Sequence, residues 1–299
     1  MIDFNFTGYI TSKSFDYDKR SNALGSFCYF INREGGMEKM NNVLAEFICT
    51  KKPKFGHYVG EFATPGIGHL LASAGCDFVF FDMEHSGFGF ETFKQVIRYF
   101  EAAKIPLIAR TPTKDYDGIA RLCDAGAEGI MAPMISSADE AAKIVSYMKY
   151  PPFGKRGVAL GAAHDNFNLG TVSVEKRLNE ANDRTTFFAM IETSEGLNNV
   201  EEIAATPGVD CLWIGHFDLS ASLGIPGQFE HPTYLQAVTH ICEATKKYNR
   251  SLGQLINSIP EGKTVLAKEY DFICYGTDTS IYQRALLEGI SALRSAEKN

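Results

Sequence analysis

From about residue 55 onward, short apolar runs and amphipathic stretches alternate eight times, and this alternation constrains the fold more than any single motif. Uninterrupted apolar runs bounded by turn signals read as strands buried on both faces, as in parallel sheets. The stretches between them carry the helical spacing needed to cover such a sheet. Strands are expected at His57–Ala63, Asp77–Glu84, Pro106–Arg110, Gly129–Met134, Phe187–Glu192, Cys211–Asp218, Ser251–Ile256 and Asp271–Asp278. Helices are expected at Gly66–Ala74, Phe90–Ala103, Tyr116–Ala125, Ala138–Met148, Glu195–Ala205, Pro232–Tyr248, Pro260–Glu269 and Thr279–Ala296. Eight strand–helix units in about 240 residues match the count and size of a (β/α)8 TIM barrel. A doubly wound open sheet is the other reading, but it would leave eight parallel strands unclosed. Neither a dinucleotide fingerprint nor a P-loop occurs, so nucleotide binding has no support.

The barrel is placed over residues 51–299, preceded by an arm and helix over 1–50. Residues 1 to about 40 scatter aromatics such as Phe4, Tyr9, Phe15 and Phe30 among polar residues with no period. Val43, Leu44, Phe47 and Ile48 then fall at helical spacing, in a helix expected to cover one end of the barrel. A long connection between Met148 and Phe187, with Pro151-Pro152-Phe153-Gly154-Lys155-Arg156-Gly157 at its start, reads as a lid, a binding loop or an insertion that reaches a neighbouring subunit. The net charge of -7 argues against nucleic acid as a partner. Seven cysteines without a C-x-x-C pair, mostly in apolar segments, suit a reducing compartment. No run approaches a membrane span of about 18 apolar residues, and the N-terminus has no basic-then-apolar pattern. A soluble, cytoplasmic protein is expected.

In a barrel of this kind, polar residues at the carboxyl ends of the strands share one mouth. They are Asp82, Glu84 and His85 after Phe78-Val79-Phe80-Phe81, Arg110 after the third strand, Glu192 after the fifth and Asp218 at the sixth. Two carboxylates on adjacent strands suit a hard divalent cation with open positions, Mg²⁺ or Mn²⁺. Each residue also has a plainer reading. Asp82 and Glu84 could be loop residues and His85 a surface histidine. Glu192 could cap the helix near Thr193, and Asp218 could be an N-cap before Leu219. His216 could be a ligand or a hydrogen-bonded structural residue, and Arg110 could merely pair with a carboxylate. His57, Tyr58 and the His164-Asp165-Asn166 loop are candidates, by position alone, for contacting the far end of a substrate.

Taken together, six segments resemble the HpcH/HpaI aldolase family of metal-dependent pyruvate aldolases. They are Phe81-Asp82-Met83-Glu84-His85, Ile108-Ala109-Arg110, Ala132-Pro133-Met134, Tyr150 to Gly157, Ile191-Glu192-Thr193 and Ile214-Gly215-His216-Phe217-Asp218-Leu219-Ser220. The resemblance covers about residues 55–290. It implies a divalent-metal-dependent aldolase that cleaves a 4-hydroxy-2-oxo acid to pyruvate and an aldehyde through a metal-held pyruvate enolate. It also implies Glu192 and Asp218 as ligands to Mg²⁺ or Mn²⁺, with Co²⁺ and Zn²⁺ also compatible. His85 is implied as the base, oriented by Asp82, and Arg110 as the group facing the keto oxygen. Asp124 matches an aspartate acting near the site of an adjacent subunit, in a trimer-based or hexameric homo-oligomer. Met190 and His216-Phe217 depart from the common pattern of glutamine and proline-alanine, which puts them beside the substrate and leaves the aldehyde open. An oxaloacetate decarboxylase or another carbon–carbon lyase on the same site is the near alternative, and a non-catalytic barrel the distant one.

Overall fold

A computed structural model describes residues 29–31, 37–39, 42–170 and 172–297. The aromatic arm therefore lies largely outside the described residues, apart from two short antiparallel strands, β1 (Tyr29–Ile31) and β2 (Met37–Lys39). After helix α1 (Val43–Thr50), eight parallel strands close into a barrel. In chain order they are β3 (Lys54–Val59), β4 (Phe78–Asp82), β5 (Leu107–Arg110), β6 (Gly129–Ala132), β7 (Thr186–Ile191), β8 (Cys211–Ile214), β9 (Ser251–Ile256) and β10 (Phe272–Thr277), and β10 pairs back onto β3. Around them run α2 (Ile67–Ser73), α3 (Phe90–Ala103), α4 (Tyr116–Ala125), α5 (Ala138–Met148) and α6 (Val174–Arg184). The outer ring continues with α7 (Ser194–Asn198), α8 (Val200–Ala205), α9 (His216–Ser222), α10 (Pro232–Lys247), α11 (Ile259–Ala267) and α12 (Asp278–Glu297).

Successive side chains on a strand face opposite ways, and the core divides accordingly. Val79, Phe81, Ala109, Ile130, Phe187 and Ile191 pack outward against the helices. Phe78, Phe80, Ile108, Met131, Phe188, Met190 and Trp213 fill the barrel interior. Gly253 leaves room there for the indole of Trp213, which a Cβ would strike. At the end where the strands begin, α1 plugs the interior with fully buried Leu44. Its cap, Asn42, accepts the N–H of Leu44 at 2.9 Å and donates to the carbonyl of Arg184.

Several expected boundaries move, and for four of them the structure shows the physical reason. The first barrel strand stops at Val59 because the Asp278 carboxylate collects the N–H groups of Gly60, Glu61 and Phe62 at 2.8–3.0 Å, turning the chain. The second strand ends at Asp82, whose side chain takes the N–H of Glu84 at 3.0 Å. The expected helix 195–205 breaks at Asn199, which gives its amide to the Ser136 carbonyl at 2.7 Å. The sixth strand ends at Ile214, and after Gly215 the chain turns at once into α9. Asp218 is thus a first-turn helix residue, neither a strand residue nor an N-cap.

Candidate active site

The alternation that fills the barrel also builds its mouth. On β4, Phe78 and Phe80 point inward, so Asp82 points inward too; on β5 the same parity aims Arg110, and on β7 it aims Glu192, two residues beyond Met190. Asp82 is fully buried and receives Arg110 as a fork, Nε to Oδ1 at 2.7 Å and Nη2 to Oδ2 at 2.6 Å. The guanidinium stands 5.2 Å over the Phe80 ring. Tyr58, next on the inner face of β3, donates its hydroxyl to Asp82. Burial alone would raise the Asp82 carboxyl, but the charge and hydrogen bonds of Arg110, with Tyr58 and the Glu84 N–H, hold it below the ordinary aspartate value.

The turn after β4 folds over that carboxylate. The backbone N–H of His85 lies 3.3 Å from Asp82 Oδ2, and Ser86 donates to the Asp82 carbonyl at 2.6 Å. The His85 ring is exposed, and its nearest carboxylate is Glu84, at 3.7 Å from Nε2. Glu84 also approaches Arg110 Nε at 3.3 Å. Burial raises the Glu84 carboxyl; Arg110 and His85 oppose that, while Asp82 and Asp218 add to it. Asp82 therefore reaches His85 through the backbone, and Glu84 is the acid beside the imidazole.

Glu192 follows β7, two strands round the barrel from Arg110, and is 3 % exposed. It does not cap α7; Thr193 does, accepting the Gly196 N–H at 2.9 Å. Instead Glu192 Oε1 accepts the N–H of Met134 at 2.5 Å, and Met134 holds a left-handed φ of 53° to offer it. Among the described residues Oε2 has no hydrogen-bond donor. Gly215 passes so close that a Cβ there would collide with it. Burial pushes the Glu192 carboxyl up to about 7, and the charges of Asp218 and Glu84 push the same way. Asp218 itself is exposed at the mouth.

No group of three or more His, Cys, Asp or Glu side chains is gathered as a metal cage among the described residues. The donors are instead a pair of carboxylates, one of them buried with a free oxygen and made costly to ionise by its surroundings. That donor chemistry fits a hard divalent cation that keeps open positions, because such a cation relieves the buried charge.

The remaining expected residues divide. Met190 is buried in the barrel interior below Glu192. His216 is buried, its ring 4.4 Å from Phe217 and 5.2 Å from Phe229, and burial pushes its pKa down to about 4, so it stays neutral. Phe217 is exposed. His57 gives Nδ1 to the Tyr275 carbonyl at 2.8 Å. Asp124 stands at the far end of α4 from the mouth, paired with the buried Arg156 at 2.5 Å. The 149–185 connection also closes at that far end: Lys149 binds the Thr185 carbonyl at 2.6 Å, just before β7 begins. Its His164 is buried there at 2.7 Å from the Ala159 carbonyl, and the structure does not bring it to the mouth. The sequence reading assigned no role to Met134 and placed Tyr58 by position only. Strand parity was the available signal for Tyr58, which follows Gly56 on the inner face of β3.

A closed (β/α)8 barrel with a carboxylate pair, an acid-clamped arginine and a histidine at the C-terminal mouth defines a barrel enzyme. The chain belongs to the HpcH/HpaI aldolase/citrate lyase family, whose model matches residues 61–285, and is an enzyme of the carbon–carbon lyase type. It is 32% identical over 238 residues to a hydroxypyruvate/pyruvate aldolase of Chromohalobacter salexigens, covering 80% of this chain and 92% of that one. It is 30% identical over 261 residues to a 4-hydroxy-2-oxo-heptane-1,7-dioate aldolase of Salmonella paratyphi C, covering 87% and 97%. A solved HpcH/HpaI aldolase/citrate lyase family protein from Burkholderia cenocepacia superposes with a TM-score of 0.79 at 30% identity, over 85% of this chain and 100% of that one. The reading of a non-catalytic barrel is set aside.

Proposed function

We propose that the chain is a divalent-metal-dependent aldolase that cleaves a 4-hydroxy-2-oxo acid to pyruvate and an aldehyde. The observation that carries this reading is the free oxygen of the buried Glu192 carboxylate, near Asp218 and in the same mouth as the Asp82–Arg110 fork and His85. Glu192 and Asp218 would hold Mg²⁺ or a similar ion, which when bound supplies Lewis-acid stabilisation of negative charge on a substrate oxygen. Arg110 has five N–H donors, of which Asp82 takes two; the others remain to face the keto oxygen where enolate charge develops. Because the fork with Asp82 fixes its plane, little reorganisation is needed when that charge appears. His85 would take the 4-hydroxyl proton as the C3–C4 bond breaks and return a proton to the methyl carbon. Met190 below Glu192 and the His216–Phe217 pair beside Asp218 would shape the substrate space.

The test is pyruvate release from a panel of 4-hydroxy-2-oxo acids with Mg²⁺, with Mn²⁺ and with excess chelator. Metal-dependent pyruvate is expected; release that survives both chelation and Glu192→Ala overturns the reading. A homo-oligomer is part of the proposal, because α12 leaves Leu286, Leu287, Ile290 and Leu293 exposed. Any role of Asp124 in catalysis would then be played at a neighbouring subunit's site, since in its own chain it lies at the opposite end of α4 from the mouth.

A further inference from the structure

Glu192 and Asp218 each stand against a backbone position that carries an exposed apolar side chain. Met134 gives its N–H to Glu192 at 2.5 Å and is 43% exposed. Phe217 immediately precedes Asp218 and is 57% exposed. Neither side chain is a loose surface residue. Met134 is held in its strained φ by the bond to Glu192, and the Phe217 ring is braced edge-on by Phe229 at 5.4 Å with the His216 ring tilted against it at 4.4 Å. An aromatic ring fixed on two sides and open on its remaining face, one residue from a carboxylate of the site, is a wall for a ligand.

The charges around it point the same way. Asp82, Glu84, Glu192 and Asp218 are acidic, and Arg110 is engaged by two of them. Lys114 reaches toward the mouth but is tied to the Met134 carbonyl at 2.9 Å and to Glu140 at 2.5 Å. Arg284, in the second turn of α12, gives Nη1 to the Asn257 carbonyl at 3.3 Å and stands over the Tyr275 ring. An aldehyde with a carboxylate tail would find Arg110 and Lys114 already paired with carboxylates, whereas an uncharged one with an apolar tail would meet Phe217 and Met134.

From this we infer that Phe217 and Met134 form an apolar acceptor subsite, so that the aldehyde partner is uncharged and carries an aryl or alkyl group. The inference rests on the aldolase reading above and names its substrate class. In the synthetic direction the methyl carbon of pyruvate loses a proton to the base and bonds to the aldehyde carbon. The aldehyde oxygen then takes the proton, so pyruvate and benzaldehyde give 4-hydroxy-2-oxo-4-phenylbutanoate with nothing left over.

The experiment has two arms, run on the Mg²⁺-loaded full chain. Exchange of pyruvate methyl protons with D2O reads enolate formation without any aldehyde; its absence overturns the aldolase reading and this inference with it. With exchange present, kcat/KM is compared for benzaldehyde, glycolaldehyde, glyoxylate and succinic semialdehyde. Benzaldehyde is expected to lead by at least about tenfold, and Phe217→Ala is expected to lower its kcat/KM at least about tenfold more than that of glyoxylate. Lys114→Gln is expected to leave the order of acceptors as it was. Preference for the anionic aldehydes, an equal loss for every acceptor in Phe217→Ala, or loss of anionic acceptors alone in Lys114→Gln overturns the subsite.

Discussion

Glu192 carries the clearest conflict between stability and function. Its folded pKa of about 7 stands above the ordinary 4.5, so its contribution is intact below that ordinary value and is lost as pH rises through about 7. The metal-free protein should therefore weaken by up to about 3 kcal/mol between acid and alkaline pH on this account. Glu192→Gln keeps an oxygen for the Met134 N–H and removes the charge. Thermal melts at pH 8 without metal should show the variant more stable than the wild type while pyruvate release is abolished; a lower melting temperature contradicts the account. Asp82 behaves oppositely. Its folded pKa lies below 3.8, so the stability it adds is present above that value and disappears as pH falls through the folded pKa. In Asp82→Asn, acid titration followed by circular dichroism should lack this last acid-induced loss, and at pH 7 the variant should melt lower because Arg110 is left unpaired.

At the scale of elements, the two ends of the barrel separate stability from chemistry. Leu44 of α1 is fully buried among the interior aromatics at the end away from the mouth. Leu44→Ala should cost about 2–5 kcal/mol in chemical denaturation, with activity per folded molecule nearly unchanged. The β8–α9 turn should do the reverse. A Cβ at Gly215 meets Glu192 Oε2, so Gly215→Ala should displace the carboxylate and lower kcat/KM by at least tenfold, with only a small shift in melting temperature. Equal losses of stability and activity in both variants would show that the two ends are not independent. Element assignment was readable from the sequence because apolar periodicity is local: α3, α4 and α5 run between the expected residues. The end of β3 was not, because Asp278 lies 218 residues further along the chain and only tertiary packing brings it to Gly60.

For the whole molecule, the open surface is α12, a 20-residue helix on which Asp278 is buried and Leu286, Leu287, Ile290 and Leu293 are exposed. A face of that kind is covered when copies assemble. Light scattering after size exclusion should give a multiple of the 33.0 kDa chain mass, and Leu287→Glu with Leu293→Glu should reduce it. A wild-type monomer at micromolar concentration contradicts the assembly. Among the described residues no helix is long and apolar enough to cross a membrane.

The sequence by itself determined the eightfold alternation and the family motifs at strand ends, since each depends on neighbours a few residues apart. The tertiary structure alone decided which groups meet: Tyr58 on Asp82, 24 residues apart, and Met134 on Glu192, 58 residues apart. It also decided that Glu84, rather than Asp82, lies beside the His85 ring. Those pairings follow from barrel closure and from the register between neighbouring strands. A one-residue slip in that register would turn the same carboxylates outward, and no local pattern in the chain specifies it.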